Sequence, residues 1–381
     1  MRNRQFVLIK RIYLRPGRIR RTNASGKFWI FSVFISIQVM CRISPEVAKL
    51  LPPGRQAIVW PIGLVHANSA RRRRSIRLSQ PMVLKDKTIA VTGASGMIGV
   101  YICRALRKHG AHVIGVVRNP DKAAFLKKEG VEFRRADLND AASLDQAFAG
   151  CDAVVSNAAL YRLINLDWDA NYQANKTGTE NVFSAMHKNA IKRAVQISTI
   201  GLYKFTLSYE INETSAQLNG ADREGGAYRA TKQLSEDLAW SLSAQYGIGL
   251  TTLRPSGVYG ARDENIMPYF KLAMKLPFLP LPAIGWPLVY AGDVADAVVA
   301  ALESDNSIGQ AYNTSGDTRD FADFLSAWHE AAGKGARVFK IPVGLGIKIS
   351  SAKAAHDLGF SNKPFAEALG EIFREEPALL N

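Results

Sequence analysis

Tyr228 and Lys232 stand four residues apart in the run Tyr-Arg-Ala-Thr-Lys, and on a helix that spacing puts both side chains on one face. A phenol with an ordinary pKa near 10 is a poor base at neutral pH, whereas an adjacent ammonium favours the phenolate and brings proton transfer within reach. Such a pair can pass a proton to or from an oxygen that changes between carbonyl and alcohol. The helical pattern continues through Gln233, Glu236 and Leu238. Upstream, Ile197-Ser-Thr-Ile-Gly-Leu-Tyr203 ends a strand-like run with two adjacent hydroxyls, Ser198 and Thr199.

A second chemical feature is Thr92-Gly-Ala-Ser-Gly-Met-Ile-Gly99, which follows a strand-like run and opens a helix-like one. In that context the glycines divide the work of a phosphate cradle. Gly93 permits the tight turn, Gly96 lets backbone approach a pyrophosphate, and Gly99 allows close packing of helix on strand, while the helix N-terminus presents N–H groups to the anion.

The elements that must position these groups alternate between short β-branched runs and helices, the pattern of βαβ units and a parallel sheet. Strands are expected at Thr88–Thr92, Ala111–Val117, Val131–Arg135, Ala153–Ser156, Ala194–Ser198 and Leu250–Arg254, with a helix from Ile98 to His109 ended by Gly110. After Arg254 the texture turns Pro-rich, Met267 to Pro287, and a helix begins near Asp293. The expected fold class is α/β, a Rossmann-type doubly wound parallel sheet on residues 82–254, with a smaller, mainly substrate-binding C-terminal lobe on residues 255–381.

The order of these motifs resembles the extended short-chain dehydrogenase/reductases, in the branch that also holds the NAD-dependent epimerases and dehydratases. Asn175-Lys-Thr-Gly-Thr-Glu-Asn181, Leu253-Arg-Pro-Ser-Gly-Val-Tyr-Gly260 and Val289-Tyr-Ala-Gly-Asp-Val-Ala295 resemble further segments of that branch, and the likeness covers residues 86 to 335. The resemblance implies Thr199, Tyr228 and Lys232 as the catalytic set, with Ser198 the second choice of hydroxyl. It also implies a nicotinamide cofactor held by Gly93, Ser95, Gly96, Met97, Ile98 and Gly99, with Asp137 and Leu138 at the adenine, Asn157, Ala158 and Ala159 beside the nicotinamide, and Tyr228 and Lys232 reaching the same molecule. For Arg254 and Asp293 a structural role is expected. Val117-Arg118-Asn119 carries no acid before Asp121, and an Arg there suits the 2'-phosphate of NADP, so NADP is expected over NAD.

Two departures from the family pattern bear on the reaction. Sugar-nucleotide members commonly carry an Arg just before the V-x-x-x-D-V-A segment, suited to bidentate diphosphate binding; here Gly285-Trp-Pro-Leu288 stands there. Dehydratases tend to have an acid after the catalytic Thr, where this chain has Ile200-Gly201. The apolar run Phe278 to Trp286 favours an uncharged substrate or a core-packing loop. The expected activity is hydride transfer to or from a carbonyl or secondary alcohol of an apolar small molecule. A nucleotide-sugar epimerase with its phosphate on Arg262 or Lys271, and a non-catalytic NADP(H)-binding sensor or assembly factor, are the alternatives.

Charge separates the chain in two. Residues 1–81 hold 17 Lys/Arg and one acid, Glu46, whereas residues 82–381 hold 32 Lys/Arg and 32 Asp/Glu. A neutral body argues against nucleic acid as partner, because clustered cations drive that affinity. The basic stretch reads as a targeting segment, a disordered tail, or an extension not translated when synthesis starts at Met82; membrane contact is expected only through it. Its apolar block, Phe28 to Cys41, would span about 21 Å as a helix, short of the roughly 30 Å hydrocarbon core. Cys41, Cys103 and Cys151 form no C-x-x-C pair, so no disulfide framework or metal site is expected and a cytoplasmic setting is the default. The branch's habit makes a homodimer the expected assembly.

Overall fold

Each β-branched run from Thr88 onward becomes a strand in the computed structural model, which describes residues 82–161, 167–316 and 318–380. The expectations for residues 1–81 lie outside the described residues. The strands are β1 (Thr88–Thr92), β2 (His112–Val117), β3 (Val131–Arg135), β4 (Ala153–Ser156), β5 (Arg193–Ile197), β6 (Gly249–Pro255), β7 (Gly257–Tyr259), β8 (Phe278–Gly285), β9 (Leu288–Tyr290), β10 (Ala311–Thr314) and β11 (Arg337–Gly346). The α-helices are α1 (Met97–Lys108), α2 (Phe125–Lys128), α3 (Ala141–Phe148), α4 (Trp168–Tyr172), α5 (Gly178–Lys188), α6 (Gly226–Tyr246), α7 (Met267–Ala273), α8 (Ala291–Glu303), α9 (Phe321–Ala332), α10 (Ala352–Leu358) and α11 (Phe365–Glu375).

Seven strands form one parallel sheet in the order β3-β2-β1-β4-β5-β6-β10. The two-residue period of a strand sends alternate side chains to opposite layers. Ile89 and Val91 enter the core made with α1 and α8, while Ala90 between them enters the core made with α3, α5 and α6. Burial on both faces explains why these runs are continuously apolar. The strand order reverses between β1 and β4, and in open α/β sheets ligands bind in the crevice at the carboxyl ends beside such a reversal.

Past residue 254 the chain does two things. Helix α8 and strand β10 return to the main sheet, and β8, β9, α9 and α11 build a third core rich in aromatic rings. Phe324 lies at its centre, with ring centroids of Tyr259 at 4.9 Å, Phe270 at 5.0 Å and Phe365 at 5.2 Å. The Pro-rich stretch is a helix and a strand here, not a loop: α7 starts it, and β8 pairs in parallel with β11. Pro280 and Pro282 fall on one parity of β8, where they sit opposite Phe339 and Ile341. In a two-stranded sheet every strand is an edge, which is where proline is tolerated. No helix among the described residues is long and apolar enough to cross a membrane.

Arg193 at the start of β5 is 2% exposed, and its guanidinium donates to the carbonyls of Ala194 at 2.8 Å, Gly249 at 2.9 Å and Ala301, and to the hydroxyls of Thr251 at 3.0 Å and Ser307 at 2.8 Å. One buried cation thus ties β5 and β6 to the end of α8. Hydrogen bonds from charged donors contribute about 1.5–3 kcal/mol each, and unmade partners cost more. Arg193→Ala is expected to destabilise the fold by about 3 kcal/mol or more, read as a lower urea midpoint at unchanged m-value; an unchanged midpoint would show that the sheet closes without it.

Candidate active site

The crevice at the end of β1 is formed by the glycine turn. Gly93 has φ +67°, and an added Cβ would come within 2.9 Å of the Ala158 backbone. At Gly99 a Cβ would meet the Gly93 carbonyl at 2.2 Å, so helix α1 rides directly on the turn. Gly96 differs: it is exposed, and a Cβ there would touch only the Gly93 carbonyl at 3.4 Å. The open side of Gly96, with Ser95, Met97 and Ile98 partly accessible beside it, leaves the first turn of α1 bare of a side-chain cap or an acidic residue. That is a cradle for an anion, and the residues fit a dinucleotide pyrophosphate.

Asn157, Ala158 and Ala159 follow β4 at the same edge of the sheet. The backbone N–H groups of Asn157 and Ala158 both donate to Thr92 Oγ1 at 3.0 Å, and the Asn157 amide donates to the Thr92 and Gly93 carbonyls at 3.3 and 3.4 Å. Asn157 therefore holds the glycine turn in place. Arg118 is exposed immediately after β2, where Asn119 spends its side chain capping the turn that follows. Asp137 accepts from the Asn139 N–H at 2.9 Å, and the Leu138 side chain packs against Gly178 while its carbonyl accepts from Asn181 at 2.7 Å.

Of the catalytic set expected from sequence, Thr199 and Tyr228 meet, and Lys232 lies one helical turn beyond Tyr228. Helix α6 is capped by Gly225 and starts at Gly226, both left-handed with φ +81° and +83°, which turn the chain so that Tyr228 lies in its first turn. Thr199 begins a short 3-10 turn, accepts from the Gly201 N–H at 3.0 Å, and is hydrogen-bonded to the Tyr228 phenol. Ser198 is buried beneath, its hydroxyl unpartnered among the described residues, so Thr199 is the hydroxyl that faces the tyrosine. Lys232 is 4% exposed, and its Nζ donates to the Ile197 carbonyl at 2.8 Å.

Electrostatics here run against the expectation that Lys232 lowers the Tyr228 pKa. Burial raises the phenol well above its usual range, the neighbouring Tyr161 phenol adds to the rise, and the hydrogen bond with Thr199 only partly offsets it. Burial also pushes the Lys232 ammonium down to about 8, against the pull of Glu236. The Lys232 ammonium is bonded to the Ile197 carbonyl, and the raised pKa keeps Tyr228 a protonated phenol at neutral pH.

Several residues of the site were given no individual role by the sequence. Between α4 and α5 the chain adopts a π turn, Gln173–Thr177, a form that recurs at functional sites. It carries Asn175, whose side-chain oxygen accepts from the Leu160 N–H at 3.0 Å and whose amide donates to Thr231 Oγ1 at 3.0 Å, linking the end of β4 to α6. Tyr161 meets Tyr228 edge-on with ring centroids 4.9 Å apart. On another side, Arg229 donates to the Gly201 and Tyr203 carbonyls at 2.7 and 2.8 Å and lies 4.4 Å over the Phe205 ring, which itself meets Trp286 edge-on at 5.6 Å. Trp286 ends the apolar run that sequence reading associated with substrate. Arg262 and Lys271 are engaged elsewhere: Arg262 pairs with Glu375 at 3.1 Å and stacks 3.8 Å over Phe125, while Lys271 is bonded to the Ala378 carbonyl.

Comparison with known proteins agrees with this geometry. The model of the NAD dependent epimerase/dehydratase family matches residues 89–314. Among curated proteins, a putative dihydroflavonol 4-reductase of Synechocystis sp. is 28% identical over 54% of this chain and 60% of its own length. A 4-hydroxy-2-methyl-3-oxo-4-farnesyl-3,4-dihydroquinoline-1-oxide ketoreductase of Stigmatella aurantiaca is 28% identical over 71% of this chain and 79% of its own. The chain thus spans little more than half the length of the first of these relatives. Among solved structures, UDP-glucuronic acid 4-epimerase from Bacillus cereus in complex with NAD shares the fold, with TM-score 0.65 and 23% identity over 77% of this chain and all of that one (100%).

The depressed Lys232 has a measurable consequence for the free protein. Below about 8 the lysine is charged in both the folded and the unfolded chain, and the folded state bears the cost of a buried ammonium. Between about 8 and the ordinary lysine value near 10.4 the unfolded chain binds a proton that the folded one does not, so stability rises with pH across that window. Lys232→Met is expected to abolish that rise and to stabilise the free protein at pH 7 by up to about 3 kcal/mol. Thermal unfolding of both proteins from pH 7 to 10 checks it; parallel pH profiles would mean that the ammonium is not destabilised.

Proposed function

The chain belongs to the NAD dependent epimerase/dehydratase family, and on that premise we propose that it is an NADP-preferring oxidoreductase transferring hydride between nicotinamide C4 and a carbonyl or secondary alcohol of an apolar small molecule. The observation that carries this reading is the Thr199–Tyr228 hydroxyl pair, with Tyr228 held protonated, in a site walled by rings. NADPH bound on the glycine turn supplies the hydride.

The chain's own residues supply the rest. Thr199 and Tyr228 donate to the substrate carbonyl oxygen, and as charge develops there Tyr228 releases its proton to the nascent alkoxide, leaving a phenolate. Lys232, one helical turn on and near 8 in pKa, is matched to return a proton to that phenolate at neutral pH. The Gly96 cradle takes the pyrophosphate and Arg118, open after β2, takes a 2'-phosphate. Arg262 and Lys271, the residues on which a sugar-nucleotide reading would place the diphosphate, are committed to Glu375 and to the Ala378 carbonyl. That commitment, with Trp286 turned toward Phe205, supports an uncharged substrate.

Tyr228→Phe is expected to lower kcat by roughly 100- to 10,000-fold while leaving NADPH binding intact, assayed as NADPH oxidation against apolar ketones and UDP-sugars. Turnover retained in this variant would remove Tyr228 from the proton path. Arg118→Ala is expected to weaken NADPH by about tenfold or more, the worth of a charge-assisted contact, and to leave NADH unchanged. Equal losses for both cofactors would assign Arg118 a general role and end the NADP preference.

A further inference from the structure

The two-stranded sheet of β8 and β11 has one face in the third core and one face in solvent. Leu279, Leu281 and Val338 point inward. The register sets Phe278 beside Arg337, Pro280 beside Phe339 and Pro282 beside Ile341 on the other face. There Phe278 and Phe339 are each 58% exposed and Ile341 is 46% exposed, with the two phenyl rings in edge contact at 6.5 Å. Clustered exposed rings on a polar-rimmed surface mark an interaction site. Beside these rings Lys275, Lys334 and Arg337 are exposed, whereas Lys340 of the same strand is paired with Asp320 and Asp323.

We propose that this face docks on an anionic lipid surface. Rings and branched aliphatic side chains enter the headgroup boundary while Lys275, Lys334 and Arg337, all exposed, meet anionic headgroups, the pattern of interfacial binding. Charge also decides against a second copy, which presents the same exposed Lys275, Lys334 and Arg337. Strand addition at the edge of β8 is disfavoured because Pro280 and Pro282 lack N–H donors. The strand's eight residues span about 26 Å from Phe278 to the end that leads into Trp286 and the ring wall of the candidate site. The docking face and the site are therefore joined by one element, which suits a substrate that partitions into lipid. The docking itself does not depend on the reaction.

The test uses the full chain with Cys41→Ser, Cys103 and Cys151 being buried, and an environment-sensitive fluorophore attached through Ile341→Cys. A matched probe is attached through Lys108→Cys, at the far end of α1. On vesicles containing phosphatidylserine, the probe at position 341 is expected to shift to the blue and to be quenched by brominated acyl chains, and the probe at position 108 to do neither. Adding Phe278→Ser and Phe339→Ser should reduce the shift several-fold at unchanged circular dichroism and unfolding midpoint. Vesicle association with a water-like probe at position 341 would assign binding to the amino-terminal segment and overturn the proposal. So would a blue shift that grows with protein concentration in the absence of vesicles, which would identify a second copy as the occupant. Either result leaves the hydride-transfer reading untouched, because no turnover is measured.

Discussion

A buried ion pair between Glu236 and Arg254 holds the candidate site together. Both side chains are almost wholly buried, and the Arg254 guanidinium engages both carboxylate oxygens of Glu236 while donating to the Tyr203 hydroxyl at 2.6 Å. Tyr203 passes the connection on to Asn313 at 2.8 Å. One network thus joins α6, β6, β10 and the loop that carries Thr199. Losing one partner of such a pair costs about 3–5 kcal/mol, because the other charge is left unpaired in a medium that cannot solvate it. Tyr228, Lys232 and Glu236 recur every four residues on one helix face, so the pair that fixes the helix also fixes the phenol and the ammonium against Thr199.

The same helix is anchored on its other side by neutral groups. Thr231 meets Asn175, and Ser235 meets Thr179 at 2.8 Å and the Gln196 amide N–H at 3.1 Å, so most of the hydroxyls and amides find partners where α5, α6 and β5 pack, the Gln196 Oε1 being the exception. Buried polar groups are tolerable when each has a partner. The result is a polar frame behind Tyr228, which Tyr161 meets edge-on. The raised Tyr228 pKa and the lowered Lys232 pKa then follow chiefly from burial.

What was legible in the sequence was whatever depends on local constraint. Gly93 and Gly99 were legible because one takes a positive φ and the other packs on the turn six residues before it, and the strands were readable because both faces are buried. Tyr228 and Lys232 were legible as a helical pair. Their electrostatics were not, since spacing says nothing of depth or of the Ile197 carbonyl that Lys232 bonds. The Pro-rich stretch hid a strand because proline usually breaks one, and only the edge position of β8 makes it admissible. Tyr161 and Asn175 could not be assigned: a ring contact and a π turn leave no spacing rule to find them by, though Asn175 did fall in a segment with a family likeness.

Hydride bookkeeping tests the central claim most directly. A reductase consumes its cofactor, whereas an epimerase borrows the hydride and returns it. With NADPH deuterated at the transferring C4 position and an apolar ketone, single turnover followed by mass spectrometry should show one deuterium at the carbinol carbon of the alcohol and one equivalent of NADP released. Inversion of a UDP-sugar with no net cofactor oxidation, and no label in any alcohol, would contradict the account.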